Sequence, residues 1–217
     1  AFDMVNHQIL LEELGTLDLH VNIYRWIADF LTGRTQAVKI NNVISKYLPI
    51  SRSVVQGSGL GPMLYLVLAR KLKPVSKKNN IFKYADDTTL MTPQKTNVCM
   101  DDEFKHVIKW SSENKLLINT NKTKEIIFWK TKQCSNNYII PTMDNIERVS
   151  VLTLLGVVLD SFLSWNFHVD HILVQSTQRF YLLNQLKHMS LNIVSLSNVF
   201  NVFLVVSRIR YALISVA

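Results

Sequence analysis

The sequence has little cysteine and no long apolar run. Only Cys99 and Cys134 occur in 217 residues, and neither stands in a close-spaced Cys/His cluster. The sequence therefore indicates neither a zinc site nor a disulfide framework, and a reducing compartment is the default expectation. The most apolar stretch, Val199 to Val206, is short and is followed by Arg208 and Arg210. It falls below the roughly 18 apolar residues of a membrane span, so we expect a buried helix there and no contact with a membrane.

A signal peptide, internal repeats and low-complexity tracts are also absent from the sequence. The first residue is alanine, and the residues after it resemble the middle of a domain, so we expect an intracellular protein. The length suits one large domain or two small ones. A hydrophobic fraction of 48% permits a sizeable buried core.

Acidic residues are outnumbered by basic ones. The chain has 24 Lys and Arg against 16 Asp and Glu, a formal charge of +8 and a pI near 9.5. This balance suits an anionic partner such as nucleic acid or a membrane surface, and it says nothing about the fold. The charge alone fits equally well a basic soluble protein with no such partner.

Two adjacent carboxylates, Asp86 and Asp87, stand between two runs of strand-forming residues, 81–84 and 88–90. Such runs around a short polar centre predict a β-hairpin. Two carboxylates held together repel each other, and a divalent cation would neutralise them. Hard oxygen ligands suit Mg²⁺, which keeps several waters and shares its coordination sphere with substrate phosphates. An Asp-rich surface turn is the alternative interpretation of the pair taken alone.

Two motifs carry a resemblance to a known family. Tyr84-Ala85-Asp86-Asp87 resembles the catalytic hairpin of reverse transcriptases. The run from Val55 to Pro62 resembles their second signature, Pro-Gln-Gly-Ser-x-Leu-Gly-Pro. The two motifs stand in the family's order and at plausible spacing. Within that family the chain is most similar in its motifs to the non-LTR (LINE-like) retrotransposon polymerases, and the resemblance runs over nearly the whole chain.

The first residues resemble the end of the family's first motif, Asp-x-x-x-Ala-Phe-Asp. The resemblance implies that Phe2 packs under the incoming sugar, inside a strand, and that Asp3 is the second Asp of the pattern. The metal-binding Asp would then precede residue 1, while the alternative that Asp3 itself is the ligand stays open. The resemblance also implies that Gln56 and Gly57 lie near the template base and the incoming nucleotide. Glycine there lets backbone approach a ligand closely.

Later segments extend the resemblance. Residues 116–128 resemble the motif Leu-x-Leu-Asn-x-x-Lys-Thr-Lys, which implies that Lys122 protonates or stabilises the leaving pyrophosphate; a solvated turn lysine is the alternative. Residues 155–169 resemble a motif at the primer-side end of the palm, and 207–211 resemble a thumb signature. His168, within that palm motif, and His171, three residues later on a predicted helix, are expected to be ordinary surface residues; metal binding by the pair is the alternative.

Two basic features accompany these motifs. Ala69-Arg70-Lys71 replaces the Ile-Asn-Asp that is common in the family and reverses the local charge. Arg34 and Lys39 follow the second helix and either face template phosphate or form a solvated face.

Periodicity predicts most of the local structure. Apolar spacing predicts helices and, between them, strands with a turn at Asn41-Asn42. On the second helix the residues expected to face the core are Ile23, Trp26, Ile27, Phe30 and Leu31. The predicted helices cover about 7–14, 21–31, the residues after Pro62, 97–114, 168–187 and 191–216; the predicted strands cover 37–40, 47–54 and 149–155.

These observations predict an α+β fold. The expected architecture is a reverse-transcriptase palm over residues 1–160, an antiparallel sheet with helices on one face, then a helical thumb-like segment over 161–217, with the fingers missing. The expected function is that of an RNA-directed DNA polymerase fragment of a retrotransposon, inactive alone; the alternative is a non-enzymatic nucleic-acid-binding remnant. By resemblance it acts on an RNA template, a DNA primer and dNTPs. Its Mg²⁺ ligands would be Asp86 and Asp87, in a two-metal site that is incomplete in this chain.

Overall fold

A computed structural model describes residues 2–55, 57–131, 139–204 and 206–211. The chain packs into two compact units, Ala1–Asn119 and Thr120–Ala217, and each is described by itself. Both contain helices and strands, which confirms the predicted α+β class. The boundary between palm and thumb near residue 160 stays a prediction.

The first unit contains four α-helices around one apolar core. They are α1 His7–Gly15, α2 Val21–Leu31, α3 Gly61–Ala69 and α4 Met100–Glu113. The Asn6 side chain caps α1 by accepting a hydrogen bond from the Ile9 N–H at 3.1 Å, because the first N–H groups of a helix have no partner within it. Helices α2 and α3 both pack against α1. The buried core residues are Val5, Leu10, Leu14, Ile27, Leu31, Val54, Leu64, Tyr65, Leu68, Ala69 and Leu116.

Helix α2 buries a narrower side than its sequence predicts. Ile27 and Leu31, one turn apart, are buried, whereas Ile23 and Trp26 are more than half exposed. The Trp26 ring lies against Phe30 on the same helix, with centroids 6.3 Å apart. The prediction that Ile23 and Trp26 face the core is therefore wrong, because one i, i+4 stripe is enough to attach this helix.

Four two-residue strands after α2 form a nested ribbon over residues 35–49. Strand β1 Thr35–Gln36 pairs with β4 Leu48–Pro49, and β2 Lys39–Ile40 pairs with β3 Val43–Ile44. The predicted turn at Asn41-Asn42 is confirmed, and Asn41 has the left-handed φ of 53° that asparagine tolerates. The predicted strand over 47–54 is shorter than expected. Pro49 lacks a backbone N–H to continue the pairing, and Ser53 has a φ of 85°.

The strands do not join into one sheet. Among the described residues they form five separate two-stranded sheets, which differs from the predicted single antiparallel palm sheet. Phe2–Met4 form a 3₁₀ turn, so the expectation of a strand at Phe2 is wrong. The Phe2 carbonyl accepts hydrogen bonds from the N–H groups of Val5 at 3.4 Å and Val54 at 3.2 Å. The first of these contacts closes the turn.

The second unit begins with two small sheets. Strand β7 Lys124–Glu125 pairs in parallel with β8 Glu147–Arg148, and β9 Val151–Leu154 pairs with β10 Val157–Asp160 in a hairpin. Leu155 and Gly156, between β9 and β10, have φ values of 48° and 84°. Positive φ at both central residues is what a type I′ hairpin turn requires.

Helices complete the second unit. They are α5 Asn166–His188, α6 Ile193–Asn198 and α7 Val206–Tyr211, with a π-helical segment Val199–Leu204 before α7. The single helix predicted over 191–216 is thus divided, and residues 205 and 212–216 of it lie outside the described residues. None of the described helices combines the length and the apolar character needed to cross a membrane.

His168 is buried where α5 packs against β10. It is 4% exposed, and its Nδ1 accepts a hydrogen bond from the Val158 N–H at 3.2 Å. The expectation of a surface residue is therefore wrong for His168, because Val158 and Asp160 alternate inward on β10 and α5 covers them. His171 is exposed, as expected, and its Nε2 lies 2.8 Å from the Gln175 amide nitrogen.

Candidate active site

Asp86 and Asp87 lie at the tip of a β-hairpin, as predicted. Strand β5 Asn80–Tyr84 pairs antiparallel with β6 Asp87–Met91, and the register sets Tyr84 opposite Asp87. Ala85 and Asp86 form the two-residue turn, and Ala85 has a φ of 51°, the sign that the first central residue of a primed hairpin turn adopts. Both aspartate side chains are exposed. The hairpin therefore presents two carboxylates at one tip.

Lys83 attaches this hairpin to the end of α3. Its Nζ donates hydrogen bonds to the carbonyl oxygens of Ala69 at 2.6 Å and Leu72 at 2.5 Å. Burial, assisted by the positive charge of Lys73, lowers the pKa of Lys83 below its ordinary value. A cation at the carboxyl end of a helix also meets the negative end of the helix dipole. The position of the hairpin is thus fixed relative to α3.

Helix α3 carries Tyr65, whose ring packs on one of the predicted site residues, Phe2. Tyr65 is 6% exposed, and its ring lies 4.9 Å from the Phe2 ring, centroid to centroid, at an interplanar angle of 45°. Burial, and then the negative charge of Asp86, raise the pKa of the Tyr65 hydroxyl above 10.0. Tyr65 therefore contacts Phe2 and carries a hydroxyl whose pKa responds to the charge of Asp86. Sequence analysis missed this residue, although a tyrosine among the aliphatic residues of α3 is a visible signal.

The glycine-rich loop before α3 folds back on itself. The Ser58 hydroxyl donates to the Val55 carbonyl at 2.7 Å and accepts from the Gly61 N–H at 3.0 Å. A Cβ at position 61 would lie 2.9 Å from that same carbonyl oxygen, so glycine is needed there. Gly57 is exposed with a φ of 80°, a conformation that glycine adopts readily. Gln56 lies outside the described residues.

Lys122 belongs to the second unit, whereas the other predicted site residues belong to the first. It is exposed in a turn at 120–122, where the Thr123 N–H donates to the Thr120 carbonyl at 3.1 Å. This agrees with the predicted turn. The role of Lys122 stays a prediction.

The donor set at the hairpin tip consists of two carboxylates. In the part of the chain that the structure describes, no three His, Cys, Asp or Glu side chains cluster closely enough to hold a metal ion. Asp3 therefore does not complete a three-carboxylate site with Asp86 and Asp87. Two oxygen ligands fit one Mg²⁺ that keeps most of its waters. They fall short of a two-metal site, in which a further carboxylate bridges the ions.

Positive charge is concentrated in one stretch of the first unit, residues 30–85. No acidic residue stands between Asp29 and Asp86, a stretch that contains ten of the 24 Lys and Arg. This segregation was visible in the sequence and was missed. The exposed cations of the stretch are Lys39, Lys46, Arg52, Arg70, Lys71, Lys73, Lys77 and Lys78.

Three cations of this region, two of them among the exposed ones, have partners within the fold. The Arg34 guanidinium donates to the Phe30 carbonyl at 3.2 Å and lies 4.8 Å from the centroid of the Phe30 ring. Arg70 and Lys71 form ion pairs with Glu13, at 3.4 and 2.6 Å. The reversed charge after α3 therefore has its complement on α1.

Comparison with known proteins identifies the family. The family model for reverse transcriptase (RNA-dependent DNA polymerase) matches residues 1–182. The RNA-directed DNA polymerase from mobile element jockey of Drosophila melanogaster is 29% identical over 184 residues, which cover 79% of this chain and 20% of the relative. Its counterpart in Drosophila funebris is 25% identical over 184 residues. The probable RNA-directed DNA polymerase from transposon X-element of Drosophila melanogaster is 24% identical over 180 residues. Each of these two matches covers 79% of this chain and 20% of the relative.

The chain thus spans about a fifth of the length of the curated relatives that it matches. The match extends through the hairpin, the glycine-rich loop and most of α5. The resemblance to retrotransposon polymerases that the motifs predict is confirmed, and the chain belongs to the reverse transcriptase (RNA-dependent DNA polymerase) family.

Proposed function

We propose that the chain is a segment of a retrotransposon's RNA-directed DNA polymerase, and that its β5–β6 hairpin presents the metal-binding carboxylates. The observation that carries the proposal is the placement of Asp86 and Asp87 at a hairpin tip in a chain that the reverse transcriptase model matches. The Phe2 ring packs on Tyr65 of α3, and the negative charge of Asp86 contributes to the raised pKa of the Tyr65 hydroxyl, which supports a place for Phe2 in the proposed site.

Each site residue has a distinct proposed role. Asp86 and Asp87 would hold Mg²⁺, which supplies charge stabilisation for phosphoryl transfer when bound. Phe2 would support the sugar of the incoming dNTP, while Gln56 and Gly57 would lie against the nucleotide and the template base. Lys122 would donate a proton to the leaving pyrophosphate. The substrates would be an RNA template, a DNA primer and dNTPs.

The proposed domain assignment follows the motifs. Residues 1–160 would form the palm and 161–217 a thumb-like segment, with no fingers in these 217 residues. The β9–β10 hairpin followed by the long helix α5 supports a change of architecture near residue 160.

Metal binding by this chain tests the proposal directly. Binding of Mn²⁺, measured by electron paramagnetic resonance, is expected to weaken by about tenfold or more in Asp86→Asn and in Asp87→Asn, because each variant removes one of two charged ligands. Asp18→Asn, an exposed aspartate of the same unit, is the matched control and should bind like the parent. Equal affinities in all four proteins would contradict the assignment of the hairpin as the metal site.

A second candidate function is nucleic-acid binding without synthesis. The stretch between Asp29 and Asp86 contains exposed cations and no acidic residue, which favours contact with phosphates. Sequence-independent binding should then weaken linearly with the logarithm of salt concentration. The double variant Lys39→Gln/Lys46→Gln should reduce that slope, and Lys109→Gln, an exposed lysine on α4, should not. A slope near zero in the parent chain would rule this function out.

A further inference from the structure

Tyr65 differs from the other residues of α3 in what it contacts. Leu64, Leu68 and Ala69 are buried among core residues, as an apolar helix predicts. Tyr65 is buried as well, and its ring also packs on Phe2 at 4.9 Å. Phe2 itself is half-buried and packs against the buried core cluster that includes Tyr65.

We infer that Tyr65 is a positioning residue that holds the Phe2 ring where it meets the sugar of an incoming nucleotide. The inference rests on the proposed function, because it takes the sugar-contacting role of Phe2 from there. It adds a residue to which no role in nucleotide selection has been assigned above.

The backbone around Phe2 explains why its ring needs support. The Phe2 carbonyl is tied to Val5 and Val54, but these bonds fix the main chain and do not set the orientation of the ring. Contact between aromatic rings favours particular relative orientations in addition to burying area. The contact with Tyr65 therefore favours one orientation of the Phe2 ring.

The contact between Tyr65 and Phe2 is one between rings, with centroids 4.9 Å apart. The ring accounts for the contact with Phe2, which predicts that phenylalanine can replace tyrosine.

The experiment compares two nucleotides that differ at one atom. Dissociation constants of dUTP and UTP are measured in the presence of Mg²⁺ by NMR titration of the whole chain. Loss of the support for the sugar should change the ratio of the two dissociation constants. A purely structural defect should weaken the binding of both nucleotides by the same factor. In the parent chain dUTP is expected to bind more tightly than UTP.

Tyr65→Ala is expected to reduce the ratio of the UTP dissociation constant to the dUTP dissociation constant by about threefold. A change of this size lies within the range of coupling between contacting residues. Tyr65→Phe should preserve the ratio. Phe2→Ala should reduce it equally, and the double variant Phe2→Ala/Tyr65→Ala should reduce it no further. Leu66→Ala is the matched control, because Leu66 lies on α3 and is about half exposed. If Tyr65→Ala fails to fold, Tyr65→Leu, which keeps most of the volume without the ring, replaces it.

Two failures are distinguishable. If Mg²⁺-dependent binding is intact and sensitive to Asp86→Asn, but the ratio is unchanged in Tyr65→Ala or Tyr65→Leu, the positioning role is wrong and the proposed function stands. A loss of the ratio in Tyr65→Phe would also overturn the inference, since the ring is retained. If no nucleotide binds in a Mg²⁺-dependent manner, the proposed function is contradicted and the inference falls with it.

Discussion

Glu103 is a fully buried residue that remains ionised. Its carboxylate accepts hydrogen bonds from the N–H groups of Val75 at 2.9 Å and Ser76 at 2.8 Å, and from the Asn79 amide at 2.7 Å. Burial raises the pKa of Glu103, but these donors outweigh it and hold the pKa below its usual 4.5. The sequence places Glu103 at the polar start of a helix and gives no sign of its burial, since its partners come from a loop about 25 residues earlier.

The substitution Glu103→Gln is expected to destabilise the first unit by roughly 2–4 kcal/mol, because the glutamine NH₂ must face backbone N–H donors and leaves at least one unpaired. Unfolding in urea, followed by circular dichroism, measures the difference. Glu113→Gln changes an exposed residue of the same helix and should have little effect. Similar midpoints for the two variants would show that the buried carboxylate contributes nothing specific.

The same residue predicts a pH dependence of stability. A carboxylate whose pKa is lower in the folded than in the unfolded state stabilises the fold above the unfolded pKa, and this stability is lost as the pH falls through the folded pKa. The stability difference between the parent chain and Glu103→Gln should be constant from pH 7 down to about 5 and shrink below about 4.5. Urea titrations at pH 7, 5, 4 and 3 check this. A difference that grows on acidification would contradict the lowered pKa.

Two glycines of one loop should respond oppositely to alanine. Gly61→Ala sets a Cβ 2.9 Å from the Val55 carbonyl oxygen, and overpacking of this kind costs about 1–3 kcal/mol. Gly59 has no atom within 4 Å of the corresponding Cβ and a φ outside the left-handed region. Gly59→Ala should therefore be neutral or stabilising by about 0.4–1 kcal/mol. Thermal unfolding of both variants measures the difference. An equal loss of stability in both would mean that the loop rearranges to accommodate the Cβ at position 61.

At the scale of elements, sequence patterns predicted the helices and the hairpin whose bounds are set by interactions between residues close in sequence. The bounds of α1 and α2 follow from apolar spacing and the Asn6 cap, and the β5–β6 hairpin follows from two strand-forming runs around a polar turn. The ribbon over 35–49 and the separate sheets were not predicted. Which strands pair, and over what length, depends on tertiary contacts that a sequence window does not contain. The burial of His168 was missed for the same reason.

The attachment of the hairpin to α3 depends on Lys83. Lys83→Met should leave the carbonyls of Ala69 and Leu72, both buried residues, without this donor at a cost of roughly 1–3 kcal/mol. It should also mobilise the Asp86–Asp87 tip and weaken Mn²⁺ binding. Lys78→Met changes an exposed lysine of the preceding loop and is the control. Hydrogen exchange of the β5–β6 amides checks the attachment, and unchanged protection in Lys83→Met would refute it.

On the scale of the whole chain, the candidate site could be predicted only in part. Motif resemblance pointed to Phe2, Asp86 and Asp87, and the first unit packs the Phe2 ring on Tyr65. Tyr65 was missed because this contact joins residues that are far apart in the sequence. Lys122 was chosen from the same kind of motif but belongs to the other unit, so its relation to the carboxylates is not determined by either unit.

The isolated 217-residue chain is expected not to synthesise DNA. Two-metal phosphoryl transfer needs a carboxylate that bridges both ions, and no third ligand joins Asp86 and Asp87 among the described residues. Charge stabilisation by metal contributes several kcal/mol to such reactions, so an incomplete site loses orders of magnitude in rate. The measurement is primer extension on an RNA template with dNTPs and Mg²⁺ or Mn²⁺, with Asp86→Asn as the control. Extension by the parent chain that disappears in Asp86→Asn would contradict this prediction, and loss of that activity in Asp3→Asn would identify Asp3 as the third ligand.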